Sequence, residues 1–217
     1  TTGSYNIAIG YNALTTEDTG ERNVAIGYQA LAVQNFNGNA YNVAIGHNAG
    51  QAVTTGVRNT LIGSLAGDAL TTGNYNVALG YTALGGEDAG SANTAIGYAA
   101  LSVQDAGDAY NTAVGFEAGK SVTTGTHNVL FGGLAGDALT TGSANIAIGY
   151  EALSTEDGHS QNVAIGYQAL KMLDAGAAGL NVAVGHQAGT AMTTGVKNTL
   201  IGAFAGDALT EGEQNVA

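Results

Sequence analysis

The 217-residue chain has no cysteine, no proline and no tryptophan, and only five of its side chains are lysine or arginine. Without cysteine there are no disulfides and no thiolate-held metals, a point that is neutral about compartment. Lacking such staples, the fold must rest on burial and on continuous backbone ladders. The cations Arg22, Arg58, Lys120, Lys171 and Lys197 are too dispersed to form a basic stripe. A net charge of −12 repels a phosphate backbone, which argues against a nucleic-acid partner. No apolar run reaches the ~18 residues a membrane span needs, and no signal peptide is visible, so this segment is not expected to insert into a membrane. Charged residues make up only 10% while hydrophobic residues make up 45%, which excludes a disordered chain.

What the chain does have is period. Asparagine recurs at Asn6, Asn23, Asn42, Asn59, Asn76, Asn93, Asn111, Asn128, Asn145, Asn162, Asn181, Asn198 and Asn215, at spacings of 17 to 19 residues. Twelve complete copies of one short unit fill the sequence, and a period this short means a solenoid whose coils touch mainly their neighbours. Most units open with Asn, a β-branched residue, a small residue, a large aliphatic and Gly, as in Asn23-Val24-Ala25-Ile26-Gly27. That pattern predicts a short strand between turns, and the absence of a 3.6-residue apolar stripe argues against helix. The glycine, unvarying from Gly10 to Gly202, needs positive φ or a close backbone approach. An alanine seven residues after each Asn marks a place where nothing larger fits. Seventeen residues at ~3.3 Å give a perimeter of at most roughly 56 Å. Two strands and two connections use that length, with Tyr28-Gln29-Ala30-Leu31 as the second segment, so a parallel β-roll is expected.

Stacked coils place the asparagines in a column. We read Asn23, Asn42, Asn59, Asn76, Asn93, Asn111, Asn128, Asn145, Asn162, Asn181 and Asn198 as a structural ladder and not as ligands, because buried amides need partners and a column supplies them. The coils also come in fours. The residue after the Gly runs Tyr11, Tyr28, His47, Ser64 and then repeats that scheme, and the next landmark runs Leu14, Leu31, Gly50, Gly67. One array over 1–217 thus divides into cassettes at about 6–75, 76–144 and 145–214. Opening in a Thr-Thr-Gly turn and stopping at Asn215-Val216-Ala217, it reads as a segment of a longer fibre.

Both faces of each strand are apolar. If Val24 and Ile26 fill the roll, Ala25 faces out, and a second apolar face must be buried elsewhere. Parallel rolls around a common axis satisfy it, which predicts a parallel homo-oligomer.

The recurring Asn-Val-Ala-Ile-Gly with its turn-rich tract resembles the head repeats of YadA-like trimeric autotransporter adhesins. The longer units, with Tyr-x-Ala-Leu and Thr-Thr-Gly, look more like repeats of viral, especially phage, tail-fibre proteins. The resemblance covers nearly the whole chain. It implies an all-β solenoid, three chains to a fibre, and an extracellular place on a virion or a bacterial surface. The expected role is the structural shaft of a fibre used in host attachment. A bacterial adhesin head and a self-assembling extracellular filament are the alternatives. A host glycan or receptor would be met along the loops 34–41, 104–110 and 171–180.

Chemistry is sparse. No nucleophile constellation and no phosphate loop occur, so no enzyme and no cofactor are expected. Asp88 stacks near Asp105 and Asp157 near Asp174, which makes these four the candidate calcium ligands, with solvated turns as the preferred reading. Asp68, Asp137 and Asp207 read as turn caps. His47 and His186 replace tyrosines and read as packing residues, and His127 and His159 show no partner in the sequence.

Overall fold

The computed structural model describes residues 3–155, 157–174 and 179–217. The chain divides into two compact units, Thr1–Tyr110 and Asn111–Ala217, and each is a parallel β-solenoid. The first carries β1 (Ile7–Ile9), β2 (Val24–Ile26), β3 (Val43–Ile45), β4 (Thr60–Ile62), β5 (Val77–Leu79) and β6 (Thr94–Ile96). The second carries β7 (Thr112–Val114), β8 (Val129–Phe131), β9 (Ile146–Ile148), β10 (Val163–Ile165), β11 (Val182–Val184) and β12 (Thr199–Ile201). Within a unit, successive strands pair in parallel and in repeat register, so Val24, Ala25 and Ile26 lie beside Val43, Ala44 and Ile45. The boundary between the units falls inside the second cassette, so units and cassettes do not coincide.

Among the described residues each coil contains one three-residue strand, not the two expected of a roll. The segment Tyr28-Gln29-Ala30-Leu31 is a turn, because Gln29 and Leu31 sit at φ of 53° and 49°. Left-handed residues either side of an alanine curl the chain within four residues. They still reach both neighbours: the Gln29 N–H donates back to the Tyr11 carbonyl at 2.8 Å, and the Leu31 N–H donates forward to Ala49 at 3.1 Å. A third left-handed residue precedes each asparagine, for example Tyr5, Arg22 and Tyr41. Each such residue costs roughly 1 kcal/mol, which the inter-coil hydrogen bonds offset.

The invariant glycine meets both demands read from the sequence. Gly27 lies at φ 138°, and a Cβ there would stand 2.2 Å from the Gly46 carbonyl oxygen. Gly149 repeats this in the second unit, 2.3 Å from Gly166. The obstacle is backbone, so it cannot swing aside.

The expected orientation of the strand faces is reversed. The central Ala25, Ala44 and Ala78 are fully buried, whereas Val24 and Ile26 are half-exposed. The interior of a one-strand coil is too narrow for β-branched pairs, so the small residue goes in. The same narrowness accounts for the four-coil cassette. In the first two coils the interior is filled by a turn leucine such as Leu31, opposite the strand alanine. In the fourth coil the strand supplies Leu61 and the turn supplies glycine. A Cβ on Gly67 would lie 2.8 Å from Leu61 Cδ2, and one on Gly50 would lie 2.7 Å from Leu61 Cδ1. Leu130 with Gly136, and Leu200 with Gly189 and Gly206, repeat the exchange.

Truncating Leu61 to Ala empties this slot opposite two glycines that cannot fill it, and should cost about 2–5 kcal/mol in chemical denaturation. Gly27→Ala should be worse, since it combines backbone overlap with a disallowed φ. A loss below ~1 kcal/mol for Leu61→Ala would contradict the complementary filling.

Candidate functional site

The asparagine column is directed at backbone more than at other amides. Each side-chain oxygen accepts the backbone N–H of the next asparagine: Asn42 Oδ1 from Asn59 at 2.8 Å, Asn59 from Asn76 at 2.9 Å, Asn128 from Asn145 at 2.9 Å. In most coils Nδ2 donates to a turn carbonyl fourteen residues on, as Asn59 to Gly73 and Asn128 to Gly142, both at 2.8 Å. Amide-to-amide bonds join this pattern in the last coils, with Asn198 Nδ2 3.2 Å from Asn181 Oδ1. At the head of the first 19-residue coil, Asn23 Nδ2 is buried without a partner. These asparagines are fully or almost fully buried, so the column is internal.

On the outside, the aromatic residues that follow the invariant glycines stack on one another. Tyr11, Tyr28 and His47 stand 5.2–5.3 Å apart and nearly parallel, as do Tyr150, Tyr167 and His186 at 5.1–5.7 Å. His47 and His186 thus sit in packed aromatic columns. Within each column, neighbouring rings cover one another's faces, while the tyrosines remain exposed at their edges, Tyr11 by 67%. A second column precedes the asparagines. Arg22 lies over Tyr5 at 4.9 Å and Tyr41 at 5.7 Å, and Arg58 lies over Tyr75 at 5.3 Å and donates to its hydroxyl. The two arginines are therefore components of a Tyr–Arg stack.

Inside the coils, one position carries carboxylate or amide. Glu87 is fully buried and accepts from the Gly90 N–H at 2.7 Å and from Gln104 Nε2 at 2.9 Å. Burial is the main influence on its carboxyl and holds its pKa above the ordinary value, with Asp105 adding to the rise. The first cassette differs: Glu17 accepts from Gly20 and Thr19, while its Oε2 and Gln34 Nε2 stay buried without partners.

Of the four candidate calcium ligands, Asp88 is exposed and accepts from Thr71 Oγ1 at 2.5 Å. Asp105 is exposed, close enough to Glu87 for their charges to interact. Asp157 and Asp174 come together, and with them His159. One ligand atom from each of the three lies within 4.8 Å of the other two, and His159 Nδ1 stands 3.9 Å from Asp174 Oδ1. Among the described residues this is the group of three ligand-type side chains that converges. Asp68 caps its own turn by accepting from its own and the Ala69 N–H, and burial raises its pKa; burial also raises that of Asp137. Of the expected contact loops, part of 171–180 lies outside the described residues.

Comparison of the chain with family models, curated proteins and solved structures returns no match.

Sequence reasoning named His159, Arg22 and Arg58 but not what they touch, and it did not pair Glu87 with Gln104; alignment on the asparagine column brings out the partners of the two arginines and the Glu87–Gln104 pair. The residue before each Asn runs Tyr5, Arg22, Tyr41, Arg58, Tyr75; the position eleven after it pairs Glu17 with Gln34 and Glu87 with Gln104.

Because the folded-state pKa of Glu87 is raised, its contribution favours folding most below the ordinary carboxylate pKa and is lost as pH rises through the folded value. Glu87→Gln, with the Gln104 amide turned to accept, should therefore raise the unfolding midpoint at pH 7. The difference from the parent chain should shrink as pH falls below ~4.5. Equal midpoints at pH 7 would show that the hydrogen bonds fully offset burial.

Proposed function

We propose that this chain is the structural shaft of a homotrimeric extracellular fibre, of the kind that holds a recognition tip away from a viral or cell surface. The supporting observation is the outward strand face. Along each unit it presents Val, Ile, Leu, Phe and Thr without a charge, as at Val43, Ile45, Thr60, Ile62, Val77 and Leu79. Leu79 is 43% exposed and Phe131 55%. A contiguous uncharged apolar face marks an interaction surface, and solenoids that stack in parallel on a shared axis would bury it. The face is the β-branched one, opposite to the alanine face assigned from sequence, but the demand for a partner is the same. The resemblance to adhesin head repeats and tail-fibre repeats points the same way. A mechanical role also fits a chain whose buried asparagines are spent on coil-to-coil bonding.

Light scattering of the recombinant chain should give three times the 21.4 kDa monomer mass. Leu79→Asp combined with Phe131→Asp should lower that mass to one chain while leaving the far-ultraviolet spectrum unchanged. A folded monomer of the unaltered sequence would refute the trimer.

A further inference from the structure

Asp157 and Asp174 hold the same register position, twelve residues after Asn145 and Asn162, so the solenoid sets them side by side on adjacent coils. Their main chains are pinned from both directions. The Asp157 carbonyl accepts from Thr140 N at 2.5 Å and from Thr140 Oγ1 at 2.6 Å, and the Asp174 N–H donates to Thr193 at 2.7 Å. His159 is fixed by the ladder itself, its carbonyl accepting Asn145 Nδ2 at 2.8 Å. The position it occupies is otherwise mostly glycine, as at Gly125, Gly142 and Gly195. A side chain there normally meets the next coil, since a Cβ on Gly125 would lie 2.3 Å from the Gly142 oxygen. His159 is followed by a coil two residues longer than the standard unit. The imidazole is nine-tenths buried and the two carboxylates are exposed.

We propose that Asp157, His159 and Asp174 form a binding site for a divalent transition ion of the zinc class, with water completing the coordination. One imidazole nitrogen and two carboxylate oxygens suit zinc, cobalt or nickel. Calcium takes six to eight oxygen ligands and has no use for a buried imidazole, so histidine changes the metal expected at these aspartates. Ligand atoms on one such ion lie about 3–4 Å apart. The present spread of up to 4.8 Å closes by rotating the two exposed aspartates, while the buried imidazole stays where the backbone holds it. The ion would clip two neighbouring coils together, the second of them the lengthened one.

The test is isothermal titration of the full chain with zinc chloride and, separately, calcium chloride. We expect one zinc per chain, no calcium heat at the same concentrations, and binding weakened roughly tenfold or more by His159→Gly and by Asp174→Asn. His159→Gly restores the residue common at this position and keeps the carbonyl that Asn145 uses. If it does not fold, Asp157→Asn and Asp174→Asn, both on exposed side chains, decide the matter. A cobalt titration should show visible absorption that the same variants abolish. Absence of zinc binding, zinc binding unchanged in the variants, or calcium binding as tight as zinc would each overturn the site.

Discussion

The structure depends on how closely one coil can approach the next. At the glycine that ends each strand, the neighbouring carbonyl stands where a Cβ would be, about 2.2–2.5 Å from it in both units. That approach sets the register, and the register brings each asparagine oxygen under the next asparagine N–H. Hydrogen bonds to buried groups contribute modestly when made and cost more when lost. A column in which each amide serves two neighbours therefore penalises any slip. Glycine and asparagine act as one device: the first permits the distance and the second uses it.

A coil built at that distance has little room inside. One strand residue and one or two turn residues project inward, and a leucine on one side meets alanine or glycine on the other. Alanine faces Leu31, while Leu61 faces Gly67. The larger β-branched residues are left outside in register, where they make an uncharged face along each unit. The aromatic and Tyr–Arg columns flank it as stacked rows. What the surface offers a partner is thus a consequence of what the interior excludes.

Much of this was legible in the sequence, and the failures have physical causes. Period, parallel register and the roles of Gly27 and Asn59 follow from spacing and residue type alone. Which face of Val24-Ala25-Ile26 points inward does not, because both faces are apolar and alternation carries no sign. The second strand was misassigned because Gln29 and Leu31 adopt left-handed geometry that neither residue type advertises. The pairing of Asp157 with Asp174 was visible from equal offsets, but His159 sits two places further along its loop. It joins them only once the turn folds back. The partners of Arg22 lie one coil away on either side, so they emerge only when the coils are aligned on their asparagines.

Amide hydrogen exchange on the parent chain and on Asn59→Ala shows whether the asparagine column holds the coils in register. The Asn76 N–H should exchange among the slowest amides of the parent. In Asn59→Ala that N–H and the Gly73 carbonyl both lose their partner. Protection of Asn76 should then fall with a stability loss of about 1–3 kcal/mol for each orphaned group. If Asn76 exchanges at the rate of an exposed loop in the parent, or if the substitution leaves its protection unchanged, the asparagine column is not what holds the coils in register.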